Sequence, residues 1–185
     1  MSARLGNSFY SEEEIAQLGL RKYGHHVLIS RKASIYSPGK ISLGNHVRID
    51  DFCILTGEIT LGNFIHISAY SAMYGKYGIE MEAYSGLSPR CLVFSASDDF
   101  SGNYLISPMA PEQYTNVTGG KVTIKRFVQV GAGTIILPCV TIHEGVAVGA
   151  LSLVKKDLDA WSIFAGNPLR FIKPREKELL KYIRP

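Results

Sequence analysis

An aliphatic side chain returns every six residues along most of this chain, at Leu43, Ile49, Leu55, Leu61, Ile67 and Met73, then, after a slip of two, at Met81, Leu87 and Val93. The same register resumes at Ile124, Val130, Ile136, Ile142, Val148 and Val154. A spacing of six drifts around an α-helix instead of holding one face. It suits short strands, because a second small or β-branched residue stands two positions earlier, at Ile41, Val47, Cys53, Ile59, Ile65 and Ser71 and again at Val122, Val128, Thr134, Val140, Val146 and Ser152. Each unit is therefore an inward-outward-inward strand followed by a corner. Gly44, Gly62, Gly131 and Gly149 stand just after the aliphatic position, where a corner needs either unusual backbone angles or the absence of a Cβ. Three units close a triangular turn, and stacked turns build an all-β solenoid, a parallel β-helix of hexapeptide repeats.

A length of 185 residues fits one domain. It divides into an N-terminal cap over 1–30, first coils over 31–96, a protruding loop over 97–120, later coils over 121–160 and a C-terminal extension with a helix over 161–185. Ser11 and Glu14 have the spacing of a capping box, and Ile15 and Leu18 form a short apolar stripe that stops at Gly19. This predicts a small helix covering the open end of the solenoid, where unpaired strand edges would recruit other chains. Pro174 followed by Leu179, Leu180 and Ile183 predicts a second helix over 175–183. The two extra residues between Met73 and Met81 bulge one corner and offer Tyr74, Lys76 and Tyr77 to a site or a partner.

No apolar run approaches the ~20 residues of a membrane span, and the N-terminus carries Glu12, Glu13 and Glu14 in place of a basic-then-apolar leader. The expectation is a cytoplasmic protein without membrane insertion. Cys53 and Cys91 fall on inward positions and Cys139 near a corner, none in a metal-type pair, so all three read as reduced structural thiols. The net charge of +4 is localised: from Lys155 onward there are eight Lys and Arg against four Asp and Glu, whereas the preceding residues balance. With no dense basic stripe interleaved with aromatics, this favours a small anionic ligand over nucleic acid.

The period breaks in SDDFSGNYLISPMAPEQYTNVTGG, over residues 97–120. A polar loop of this length inside a compact domain is usually functional. It carries Asp98, Asp99, Asn103, Tyr104, Glu112, Tyr114 and Asn116, hydrogen-bonding groups suited to a polyhydroxylated ligand. The alternative is packing on a neighbouring subunit, which is compatible with a binding role.

The helix, repeats and single protruding loop, together with the block over 128–173 that ends AGNPLRFIK after VKKD, resemble the hexapeptide-repeat acyltransferases. That family includes galactoside, maltose, serine and xenobiotic acetyltransferases and sugar acetyltransferases of surface-polysaccharide, including lipopolysaccharide, biosynthesis. The resemblance implies a left-handed coil, a homotrimer with sites between adjacent subunits, and acetyl-CoA or another acyl-CoA as co-substrate without a metal. On its pattern Gly131, Ala132, Gly149 and Ala150 would pass the pantetheine arm, Lys155, Lys156 and Arg170 would meet the adenosine phosphates, and Pro168 of the closing motif would belong to the same coenzyme site. The glycines have a second explanation, since the repeat itself demands small corner residues.

Acyl transfer to an alcohol normally needs a base near pH 7 and donors for the oxyanion. Galactoside-type relatives carry a His where the chain enters the loop, but here the segment reads FSASDDFSG. Of the five histidines, His25 and His26 precede the repeats and His46 and His143 sit at corners, while His66 points outward from a strand between inward Ile65 and Ile67. His66 is one candidate base. If the acceptor is an amine, Asp98 or Asp99 can position it instead, with Tyr74, Asn103, Tyr104, Tyr114 and Asn116 as substrate contacts. The expected function is acyl transfer from coenzyme A to a sugar, most simply a nucleotide-linked aminosugar or a polysaccharide precursor. Alternatives are a xenobiotic or other small-alcohol O-acetyltransferase, a metalloprotein of the carbonic-anhydrase type on the same solenoid, and a non-catalytic scaffold.

Overall fold

The computed structural model describes residues 8–183. The outermost parts of the N-terminal cap and of the C-terminal extension lie outside the described residues.

The chain winds into a three-walled parallel prism. One wall stacks Leu28–Ile29, Val47–Ile49, Ile65–Ile67, Gly86–Leu87, Gln129–Val130, Ala147–Val148 and Ser162–Ala165 in parallel, then adds Arg170–Pro174 antiparallel. A second wall runs from Ser34–Tyr36 through Leu92–Phe94 and Ile135–Ile136 to Leu153–Val154. The third carries Ile41–Leu43, Val122–Ile124 and Thr141–Ile142. The long strands Ile54–Leu61 and Ala72–Met81 bend from the second wall into the third.

The aliphatic ladder lies inside, as its period requires. Ile49 pairs with Ile67, Ile67 with Leu87, Leu87 with Val130 and Val130 with Val148, and each is almost fully buried. Each such side chain contributes about 1.5–3 kcal/mol by leaving water. Ser71, Thr134 and Ser152 occupy inward places too, and their hydroxyls satisfy themselves on the carbonyls of Ser88 and Gly149. Burial pushes the Cys53 and Cys91 thiols up to about 11, so both stay protonated, as expected of structural cysteines.

At the corners Gly44, Gly62, Gly131 and Gly149 serve close approach and not a left-handed backbone. Gly44, Gly131 and Gly149 are required for close approach: a Cβ on Gly44 would meet the carbonyl oxygen of Gly62 at 2.5 Å, one on Gly131 the amide nitrogen of Ala150 at 2.6 Å and one on Gly149 the Cβ of Ala165 at 2.8 Å, while Gly62 is tight at 3.0 Å. Left-handed backbone falls two residues later, on bulky residues such as His46, Phe64, Tyr84 and Phe127, with φ from 56° to 62°. Such angles cost roughly 1–2 kcal/mol per non-glycine residue. The cost is offset by stacking between coils: the ring of His46 lies 4.7 Å from Phe64, and Phe64 4.7 Å from Tyr84, with planes within 5°.

At the N-terminal end the helix Glu12–Gln17 forms with the capping box read from the sequence: the Ser11 amide donates to Glu14 at 2.7 Å and the Glu14 amide to the Ser11 hydroxyl at 3.3 Å. Ile15 is buried against the first coil. The C-terminal end differs from the expected helix over 175–183. Arg170–Pro174 instead turns back as an antiparallel strand, followed by a 3-10 turn, Glu178–Tyr182. The reason lies in Arg175, whose Nη1 donates to the carbonyls of Phe127, Gly145 and Val146 at 2.8, 3.1 and 3.2 Å and pins the chain to the prism before a helix can start.

Candidate active site

The loop rises from the second wall. Its two arms pair as an antiparallel ladder, Ala96–Ser97 with Thr118–Gly119. The two-residue insertion after Met73 sits beside this root as a bulge between paired stretches of Ile54–Leu61 and Ala72–Met81. Tyr77 in that bulge donates its backbone amide to Ser95 Oγ at 2.9 Å and its hydroxyl to the Val117 carbonyl at 2.9 Å. Tyr74 stacks on Phe94, with centroids 5.1 Å apart, on the same wall. The corner insertion therefore buttresses the loop.

The paired aspartates are separated in role by geometry. Asp99 turns back into its own loop, accepting from the Ser101 hydroxyl at 2.7 Å and from the Ser101 and Gly102 amides at 3.1 and 3.2 Å. The Ser101 hydroxyl, with those amides, holds the Asp99 carboxyl below the usual carboxylate range. Asp98 is exposed and faces an apolar groove of about 540 Å³ whose walls include Phe94, Phe100 and Leu137. Further out, Asn103, Tyr104 and Tyr114 line one shallow recess of about 360 Å³ with Gln113, and Asn116 lies half-buried on the return arm outside it.

His66 stands on a different wall from Asp98. On Ile65–Ile67 its Nε2 lies 2.7 Å from Asp50 Oδ2, and Arg48 Nε donates to Asp50 Oδ1, also at 2.7 Å. Burial alone would raise the Asp50 carboxyl, but the hydrogen bonds from Arg48 and His66 outweigh it and hold the group low. His66 is thus hydrogen-bonded into the Arg48–Asp50 ion pair, on a wall other than the one from which the loop carrying Asp98 rises.

Gly131, Ala132, Gly149 and Ala150 follow one another down a corner, with the Gly131 amide donating to Val148 and the Gly149 amide to Phe164. The coil contacts described above already demand both glycines, while Ala132 and Ala150 are exposed beside them. Lys155, Lys156, Pro168 and Arg170 are exposed at the C-terminal end of the prism, and among the described residues none of the three cations has an ion-pair partner. Among the described residues no group of three His, Cys, Asp or Glu side chains is placed to hold a metal ion, and no helix is long and apolar enough to cross a membrane.

No model of a known protein family matches the chain. Individual relatives do. The chain is 41% identical over 177 residues, covering 94% of its length and 92% of the relative's, to the dTDP-4-amino-4,6-dideoxy-D-glucose acyltransferase of Escherichia coli. A serine-to-cysteine variant of AntD, an N-acyltransferase from Bacillus cereus, superposes with a TM-score of 0.93 at 53% identity, with 96% of each chain covered, in a complex with dTDP-4-amino-4,6-dideoxyglucose and coenzyme A. AntD has also been solved with dTDP and 3-hydroxybutyryl-CoA, and with substitutions of one serine and of one aspartate ten positions further along its chain. The acetyltransferase domain of PglB from Neisseria gonorrhoeae, at 17% identity and a TM-score of 0.60, shares the fold. Coil, loop and near-full-length identity agree: the chain is an acyltransferase of the left-handed β-helix, hexapeptide-repeat family and belongs to its dTDP-aminosugar branch.

Proposed function

We propose that this enzyme transfers an acyl group from coenzyme A to the amine of a dTDP-linked 4-amino-4,6-dideoxyhexose, with Asp98 and Ser88 at the reacting centre. What supports the assignment most directly is one spacing: Ser88 and Asp98 are the only serine and aspartate of this chain that stand ten residues apart in that order, the spacing of the two residues varied in AntD. Ser88 directly follows the strand Gly86–Leu87, half-buried, and its Oγ accepts from Gln129 Nε2 at 3.1 Å, which leaves its own O–H to donate elsewhere.

The chemistry then needs no histidine. The amine nitrogen attacks the thioester carbonyl, the new N–C bond forms and the C–S bond breaks, and the proton shed by nitrogen ends on the departing sulfur as free coenzyme A. The Asp98 carboxylate orients the amine and favours the positive charge that nitrogen gains on attack, while the Ser88 hydroxyl donates to the oxygen that gains negative charge. Lys155, Lys156 and Arg170 hold the coenzyme phosphates, and the recess of Asn103, Tyr104 and Tyr114 contacts the nucleotide-sugar.

A homotrimer in the cytoplasm, supplying sugar for a surface polysaccharide, follows from the family resemblance. Light scattering at three times the 20.4 kDa chain mass is the expected result for the trimer. Thiol release with the 4-amino nucleotide-sugar, set beside its 4-hydroxy counterpart, tests the reaction. Turnover of the amine alone supports it, and equal turnover of the hydroxyl compound counts against it.

A further inference from the structure

The groove beside Asp98 is built differently from every other surface of the site. Phe94, Ala96, Phe100, Val117, Leu137 and Pro138 form its walls, with Ser97 its one hydroxyl and Asp98 its one charged group. Ser97 donates its hydroxyl to the Asp98 carbonyl at 3.1 Å, the remaining walls offer little to a diphosphate or a hydroxylated ring, and the carboxylate repels phosphate, so the nucleotide and the coenzyme's own diphosphate belong elsewhere. Phe100 holds its ring 92% exposed next to that carboxylate. At about 540 Å³ the space far exceeds a methyl group and falls in the range of small-molecule pockets, about 300–1,000 Å³.

We propose that this groove seats the acyl chain of the donor thioester, and that it favours longer apolar chains, butyryl among them, over acetyl. The inference rests on the assignment of Asp98 to the reacting centre. If Asp98 holds the amine, the thioester carbonyl lies within about 3–3.5 Å of that nitrogen. The acyl tail then begins beside Asp98, and the apolar surface adjoining Asp98 is this groove. Each further methylene buried there raises the specificity constant about fourfold.

The test uses the full chain, the 4-amino nucleotide-sugar and three donors, acetyl-, butyryl- and hexanoyl-CoA. The expected butyryl-to-acetyl ratio of kcat/KM is about fifteen. Leu137→Trp fills the groove and brings the ratio to near one. Phe100→Ala, at a position too exposed for the fold to depend on it, lowers the ratio several-fold. A wild-type ratio near one, or a ratio that neither substitution moves, overturns the proposal. So does a change of assembly mass in either variant with an unchanged ratio, which would make the groove a contact between copies. Absence of thiol release with all three donors is a distinct result: it overturns the proposed reaction, and the acyl groove with it.

Discussion

Tyr77 donates its hydroxyl hydrogen to the Val117 carbonyl across 2.9 Å, tying the bulge of one coil to the returning arm of the loop that carries Asp98. The bond spans forty positions of sequence, so the loop's placement depends on a corner that lies outside it. Tyr77→Phe removes this tie and little else. The expected result is a stability loss of about 0.5–1.5 kcal/mol, faster proteolytic cleavage within residues 97–120 and a KM for the nucleotide-sugar raised several-fold. Denaturant titration, limited proteolysis and steady-state kinetics on one preparation read all three.

The Arg48–Asp50–His66 cluster predicts a pH dependence of stability. The Asp50 carboxyl titrates below its ordinary range in the folded chain, so its contribution is present at pH values above the unfolded pKa and is lost as the pH falls through the lowered folded one. Asp50→Asn is expected to cost about 1–2 kcal/mol at pH 7, and the gap to wild type narrows as the pH drops below about 4. Urea midpoints across that interval measure it. A gap that stays constant into acid would show that the charge contributes nothing.

Gly44→Ala tests the origin of the corner glycines. A methyl group there meets the Gly62 carbonyl oxygen, a backbone atom, at 2.5 Å, and neither coil can yield without disturbing its ladder. The predicted loss is about 1–3 kcal/mol. Thermal unfolding decides the point, since no left-handed angle is involved at this glycine and a conformational explanation predicts almost no effect.

Arg175→Met keeps the length of the side chain and removes the donors. Three carbonyls, of Phe127, Gly145 and Val146, then lose their shared partner at the end of the prism. Destabilisation of about 2–4 kcal/mol is expected, together with rapid amide exchange through the strand Arg170–Pro174. Protection equal to wild type in that strand would contradict the anchoring role.

The prism was legible because its signal is local and repeated: alternation of period two inside a period of six leaves one arrangement for Ile41 through Val93 and again for Val122 through Val154. The capping box of Ser11 and Glu14 and the buried thiols of Cys53 and Cys91 were legible for the same reason. What sequence could not convey are relations between coils. Propensity places glycine or asparagine at left-handed corners, yet Phe64 and Tyr84 adopt them because each ring rests on a ring from the next coil. His66 reads as an unattached outward histidine until stacking of the coils brings Arg48 beside it and Asp50 within reach. The C-terminal apolar spacing suggested a helix, and the long-range bonds of Arg175 decided otherwise. Asp98 and Asp99 are indistinguishable by type, and only the turn around Ser101 tells them apart. Ser88, one more small residue near a corner, carried no signal at all until the varied serine of AntD pointed to it.

The most direct measurement sets Asp98→Asn beside wild type, with coenzyme A binding followed by calorimetry and amide formation by thiol release from the 4-amino nucleotide-sugar. A carboxylate that orients the attacking amine predicts turnover lowered by about 100-fold or more, with coenzyme affinity within about twofold of wild type. Turnover close to wild type in Asp98→Asn would place the reacting centre elsewhere on the prism.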